Sequence, residues 1–320
     1  MVDAAENLAA EHDRRIAEKL RRELGPQVCE YLVAPDVVEI LLNPDGRLWV
    51  ERIGASMECF GRMAPHQAES IMTTVASYYR TSITRENPIL ECELPFDGSR
   101  FESLIPPIVA APSFAIRRKA TRVFTLDEYQ SSGVMTAHQV DLVKRAVVDR
   151  KNILVVGSTG SGKTTLTNAL IEHIASTCPD QRLVIIEDTA ELQCSSPNSV
   201  TLRATDQVDM QRLLKATMRL RPDRILVGEV RGQEALTLLK AWNTGHPGGV
   251  ATVHADDASL GLLRLEELVS EASASPRSQS ISRTIHLVLF IAKTSAGRRV
   301  QEIVSVHGHD GTRYITHRED

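Results

Sequence analysis

Aromatic side chains are scarce in this sequence: Phe, Trp and Tyr together make up 4% of its 320 residues. That leaves few flat platforms on which unpaired bases could stack. A formal net charge of −4, from 37 Lys and Arg against 41 Asp and Glu, supplies no polycationic surface for a phosphate backbone either. Direct nucleic-acid binding is therefore doubtful for the chain as a whole, although Arg117-Arg118-Lys119 forms a local basic cluster. Cysteine is sparse as well. The five, at 29, 59, 92, 178 and 194, are odd in number and contain no Cys-x-x-Cys, which points to reduced thiols and away from a cysteine-built zinc site. No apolar run approaches the roughly 18 residues that span a bilayer; the longest, Leu287–Ala292, reads as a buried strand. The opening Met1-Val-Asp-Ala-Ala-Glu lacks the basic-then-apolar pattern of a secretory leader, so a cytoplasmic protein is expected.

What remains is ordinary globular material, 42% apolar and 24% charged, in a chain long enough for two domains. Residues 1–25 read as an N-terminal amphipathic helix. Ala5, Leu8, Ala9, Ile16, Leu20 and Leu24 fall near one face, cations crowd the rest, and Gly25-Pro26 ends it. Mixed charge and the lack of an aromatic anchor favour packing on its own domain or a neighbouring subunit over a membrane surface. Residues 26–120 read as a small mixed α+β domain: strand, Asn43-Pro44-Asp45-Gly46 turn and strand over 37–52, a helix from Pro65 to Tyr79, then short strands over 88–120. Residues 121–135, ending Ser131-Ser132-Gly133, read as a linker and hinge. From Thr136, a plausible N-cap, the texture changes. Short β-branched runs at 152–156, 182–186, 225–228 and 250–253 alternate with helical stretches at 163–177, 209–219 and 232–243. This predicts an α/β domain over 136–320 with a mainly parallel sheet covered on both faces, late strands at 287–292, 300–306 and 314–316 lying at one edge.

The chemistry sits in that second domain. Gly157-Ser158-Thr159-Gly160-Ser161-Gly162-Lys163-Thr164, followed by Thr165, matches the phosphate-binding P-loop at every fixed position, after an apolar strand and opening a helix. Glycines let backbone N–H groups turn in around the β-phosphate while the helix points its positive end at the same anion. Lys163 can then bridge β- and γ-phosphates, and the Thr164 hydroxyl can ligate Mg²⁺. Two further strands end in acids, at Glu187-Asp188 and at Glu229. Such strand-end carboxylates face the crevice where ligands bind in open α/β sheets. One acid can hold the metal's water shell and the other can orient or deprotonate the attacking water. His254 closes a fourth strand after Gly248-Gly249 and Thr252, and a sensor of the γ-phosphate is its most economical role. Arg100 and Arg117 could neutralise charge on a transferred phosphoryl group, though by spacing alone they read as a solvated strand edge.

Four ordered motifs, GSTGSGKT, IIEDTAEL, RLRPDRILVGEVRG and GGVATVHADD, resemble the Walker A, Asp box, Walker B and His box of the type II/IV secretion ATPases. The stretch Leu239–Gly249 is most similar to the conjugative-transfer branch. That resemblance implies a RecA-like P-loop NTPase domain behind a smaller N-terminal domain. It also implies ATP and Mg²⁺ as cofactors and a hexameric ring at the cytoplasmic face of the inner membrane. The ring would work with the other components of a type IV secretion and pilus-assembly machine. By the same resemblance Lys163 and Thr164 contact phosphate and Mg²⁺, Glu187 polarises water, Glu229 is the Walker B acid near the metal, His254 is the sensor, and Arg100 and Arg117 reach the nucleotide from the N-terminal domain. The chain departs from the type II secretion branch in having no cysteine after 194, hence no four-cysteine insertion. A nucleic-acid motor and a nucleotide-binding switch without turnover remain the competing readings.

Overall fold

The structure, a computed structural model, describes every residue except 1, 54, 120, 121, 206, 274, 296 and 320, with the backbone alone for residues 2–10 and 12. The chain divides into two compact units, residues 1–121 and 122–320.

The first unit opens with helices α1 (Val2–Leu24) and α2 (Pro26–Val33). Gly25 between them takes φ +83°, a conformation that favours glycine, and Pro26 occupies the first turn of α2, where its missing N–H costs nothing. Strands β1 (Val37–Leu42), β2 (Arg47–Arg52), β3 (Glu58–Arg62), β4 (Ile89–Glu93), β5 (Arg100–Leu104) and β6 (Ser113–Arg117), with α3 (Pro65–Tyr78) before β4, form one antiparallel sheet in the order β3-β2-β1-β6-β5-β4. Period-2 alternation sends Ile40, Leu42, Leu48, Val50, Phe101, Phe114 and Ile116 to one face, where they pack with Ile71, Met72 and Val75 of α3. Leu20 and Leu24 of α1 lie in the same core, so the N-terminal helix is part of this unit's own packing. The side chains of Ala5, Leu8 and Ala9 lie outside the described residues.

Of the expected linker over 121–135, residues 122–135 fall within the second unit; its first residue lies outside the described ones. Residues 126–131 form helix α4 (Leu126–Ser131), closed by a capping box in which Thr125 accepts from the Glu128 amide and Glu128 accepts from the Thr125 amide. Leu126, Tyr129 and Met135 are buried in the second unit's core, so this stretch packs there. Thr136 caps α5 (Ala137–Val148) by the same device with Gln139.

Then come β7 (Ile153–Val156), α6 (Lys163–Thr177), β8 (Leu183–Glu187), β9 (Ser199–Arg203), α7 (Met210–Thr217), β10 (Arg224–Val227), α8 (Glu234–Asn243) and β11 (Val250–Val253). Helices α9 (Ala258–Ser270) and α10 (Ser278–Thr284) and strands β12 (Leu287–Thr294), β13 (Gly297–His309) and β14 (Tyr314–Arg318) complete the unit. The sheet order is β14-β13-β12-β7-β11-β10-β8-β9; the strands from β12 to β9 run parallel, and β13 and β14 add an antiparallel edge. Helices α4, α5 and α6 cover one face, and α7 to α10 the other. Every residue of β7, β8, β10 and β11 is buried, which is why apolar residues dominate these strands. Each fully buried Val, Leu or Ile contributes about 1.5–3 kcal/mol, so a four-residue strand such as β7 anchors the phosphate loop that follows it.

Candidate nucleotide site

The carboxyl ends of β7, β11, β10 and β8 deliver the loop Gly157–Thr164, His254, Glu229 and Glu187 to one end of the sheet. Gly160 and Gly162 take φ +71° and +105°, and no side chain caps the start of α6. The first-turn N–H groups of α6 are thus left for an anion.

Lys163 is nearly buried, and its Nζ donates to Gly157 O at 2.8 Å and Ser158 O at 3.0 Å. It also stands 3.2 Å from His254 Nδ1. His254 Nε2 lies 2.8 Å from Glu229 Oε1. The ammonium lies against the edge of the ring, 3.4 Å from Nε2 as well, and the ring stands between it and the carboxylate. Glu229 Oε2 in turn accepts from Arg231 Nη2 at 2.7 Å, and Arg231 Nη1 pairs with Asp188. The result is a side-chain series, Lys163–His254–Glu229–Arg231–Asp188, running from the phosphate loop to an open cavity of about 510 Å³ lined by Asp188, Asp209, Glu229, Arg231 and Glu234 among others.

On the other side of Lys163, the Thr164 hydroxyl donates to Glu191 Oε2 at 3.1 Å. Asn168 brackets the same loop, donating to Glu191 O and accepting from the Gln193 amide. Glu187 is what holds that loop: buried, its Oε2 accepts the amides of Glu191 and Leu192, both at 2.9 Å. A carboxylate oxygen committed to two backbone amides positions the loop.

A hydroxyl beside a carboxylate is the hard-oxygen donor set that suits Mg²⁺. Among the described residues no three His, Cys, Asp or Glu side chains gather into a metal cage. Mg²⁺ commonly takes one or two protein oxygens and completes its shell with phosphate and water, so the Thr164 hydroxyl with the Glu191 carboxylate fits that manner of binding.

Arg100 and Arg117 belong to the first unit. They face each other across β5 and β6, with Glu39 opposite Arg117 and Glu93 opposite Arg100. Two cations directly opposed across a strand pair destabilise it unless acids or an anion compensate. Burial raises the Glu39 carboxyl above its ordinary range, and Arg117 draws it back down. The Gly248-Gly249 pair serves a different end of the sheet from His254. A Cβ on Gly249 would lie 2.1 Å from the Trp242 indole nitrogen, so this glycine permits close packing at the start of β11. Sequence reasoning missed Glu191, Asn168 and Arg231. Glu191 stood four residues beyond Glu187 in the same acidic stretch, but only the folding-back of that loop brings it to Thr164.

With this geometry in hand, likeness to known proteins is decisive. Residues 23–309 match the family model described as "Type II/IV secretion system protein". The chain belongs to that family. It is 52% identical over 300 residues to a "Probable conjugal transfer protein TrbB" of Sinorhizobium fredii, spanning 94% of this chain and 92% of that one. It is 50% identical to a "Conjugal transfer protein TrbB" of Rhizobium radiobacter, spanning 94% of each. Among solved structures, the Legionella pneumophila ATPase DotB shares the fold, with a TM-score of 0.62 at 17% identity over 88% of this chain and 80% of that one. No helix among the described residues is long and apolar enough to cross a membrane.

Proposed function

We propose that this protein is a Mg²⁺-dependent ATPase with a RecA-like motor domain. It works as a homohexameric ring at the cytoplasmic face of the inner membrane and energises a type IV secretion apparatus for conjugative DNA transfer. The observation that carries the reading is the joined set of Lys163, His254 and Glu229 beside a phosphate loop whose hydroxyl meets Glu191. The similarity to conjugal transfer proteins over nearly the whole chain supports the biological setting.

In this mechanism the amides of Gly157–Thr164 and the N-terminus of α6 grip the triphosphate. The Lys163 ammonium exchanges Gly157 O, Ser158 O and His254 for the β- and γ-phosphates. Bound Mg²⁺, held by Thr164 with Glu191 and Glu229 reached through water, would supply charge neutralisation on the terminal phosphates. His254, released by Lys163, stays beside Glu229 and reports the γ-phosphate. Glu229 orients the attacking water and takes its proton. Glu187 acts here as a positioning residue that fixes the Glu191 loop, a change from the water-polarising role that resemblance implied. Arg100 and Arg117, opposed across β5 and β6, form a paired cationic site in the first unit suited to an anion.

Turnover of purified protein measured against protein concentration, alongside native mass with and without Mg²⁺-ATP, tests the proposal. The expected result is ATP hydrolysis that rises with ring formation and ignores added DNA. DNA-stimulated turnover with salt-sensitive DNA binding would favour a nucleic-acid motor instead.

A further inference from the structure

Arg298, on β13, stands on the flank of the phosphate loop opposite the catalytic series. Its Nε donates to Gly160 O at 3.2 Å, and a Cβ on Gly162 would come within 3.1 Å of its Cδ. The main chain of β12 presses on the same loop, since a Cβ on Gly157 would lie 2.4 Å from Ile291 O. The β12–β13 hairpin is thus built against the loop, and its tip is basic: Lys293 sits directly opposite Arg298, and Arg299 follows. Arg298 is half-buried, and among the described residues no carboxylate stands within ion-pair distance of it. A neutral carbonyl is a weak partner for a guanidinium, whose fork of donors matches phosphate oxygens.

Sheet order decides which part of a nucleotide this side chain would meet. The strands β11, β10 and β8, which carry His254, Glu229 and the acidic loop, lie on one side of β7, and β12 lies on the other. A triphosphate held by Gly157–Thr164 with its γ-phosphate toward the carboxylates turns its α-phosphate toward β12. We propose that Arg298 is a binding residue for the α-phosphate of ATP and ADP. This deepens the ATPase reading above and rests on it. The α-phosphate charge does not change when the γ-phosphate is cleaved, so the contact strengthens substrate and product alike without lowering the barrier.

The test compares wild-type protein with Arg298→Ala, Arg298→Lys and Arg298→Gln. It measures ATP turnover, binding of a fluorescent ADP analogue, and competition by inorganic tripolyphosphate. In Arg298→Ala the KM for ATP and the Kd for ADP should each rise about tenfold, with kcat within about twofold. Tripolyphosphate should weaken in parallel, and Lys should restore part of the affinity while Gln restores none. The Lys-against-Gln contrast holds even if the alanine variant folds poorly. Unchanged KM and Kd, a fall in kcat at constant KM, or loss of ADP affinity with wild-type tripolyphosphate affinity would each overturn the assignment. Wild-type protein that binds no ADP would sink the ATPase reading together with it, whereas normal wild-type binding with indifferent variants sinks the arginine alone.

Discussion

The two ends of the second unit's parallel sheet both carry ionisable and amide side chains, yet they use them in opposite ways. At the amino end those side chains terminate mainly on backbone and are sealed from solvent. Fully buried Arg224 donates to Val147 O, Gly248 O and Gln181 Oε1. Asn152 accepts the amides of Gly248 and Gly249 and donates to Thr284 O, and its own amide donates to His286 Nδ1. At the carboxyl end side chains also meet one another, as in Lys163–His254–Glu229–Arg231, and several remain partly open to solvent. Partners sealed inside the fold are hard to exchange, whereas partners that face an open crevice can be traded for a ligand. The amino end is a clamp and the carboxyl end is a site.

Substitutions at the two ends should therefore separate activity from stability. Lys163→Ala should lower ATP turnover at least about a hundredfold with a thermal midpoint near that of wild type, read by coupled assay and calorimetry. Glu229→Gln should lose turnover to a similar degree while retaining ATP binding in equilibrium titration. At the other end, Arg224→Met should destabilise the fold by about 3 kcal/mol in denaturant melts, because the buried acceptors around it lose their donor, with turnover per folded molecule preserved. A catalytic defect in Arg224→Met at unchanged stability would blur the division. Thr125→Ala should cost about 1 kcal/mol through loss of the α4 capping box. A free linker would not respond.

The smallest effect concerns pH. Burial, with Lys151 nearby, lowers the His286 pKa, and Nδ1 accepts the Asn152 amide only while it carries no proton. The unfolded chain then binds more protons than the folded one below the ordinary histidine pKa. Stability contributed by His286 should be complete above that pKa and fall as pH drops through and below it. Replacing His286 with Asn should flatten this part of the stability–pH profile in urea melts across neutral to mildly acid pH.

Much of the second unit was readable from sequence, because its strands are continuous apolar runs and its helices carry caps. The expected strand 250–253 coincides with β11, the expected helix 163–177 with α6, and Thr136 is the cap it was read to be. The failures are physical too. Strand β9 was missed because it is an edge strand, Ser199-Val-Thr-Leu-Arg203, whose side chains are largely solvated and alternate weakly. Helix α4 was taken for linker because a six-residue helix between Thr125 and Ser132 looks polar until its two buried side chains find a core. At the site, residues inside motifs were legible, and those brought in by folding were not. Glu191 reaches Thr164 only after Glu187 bends the loop, and Arg298 reaches Gly160 from 138 positions away.

A crystal structure with Mg²⁺ and a non-hydrolysable ATP analogue tests the central claim most directly. The account predicts the triphosphate in the loop Gly157–Thr164, with Lys163 Nζ moved from His254 onto the β- and γ-phosphates and the Glu229 carboxylate within hydrogen-bond reach of a water in line with the γ-phosphate. Nucleotide bound elsewhere, or Lys163 still held by Gly157 O and His254 with Glu229 turned from the terminal phosphate, would contradict it.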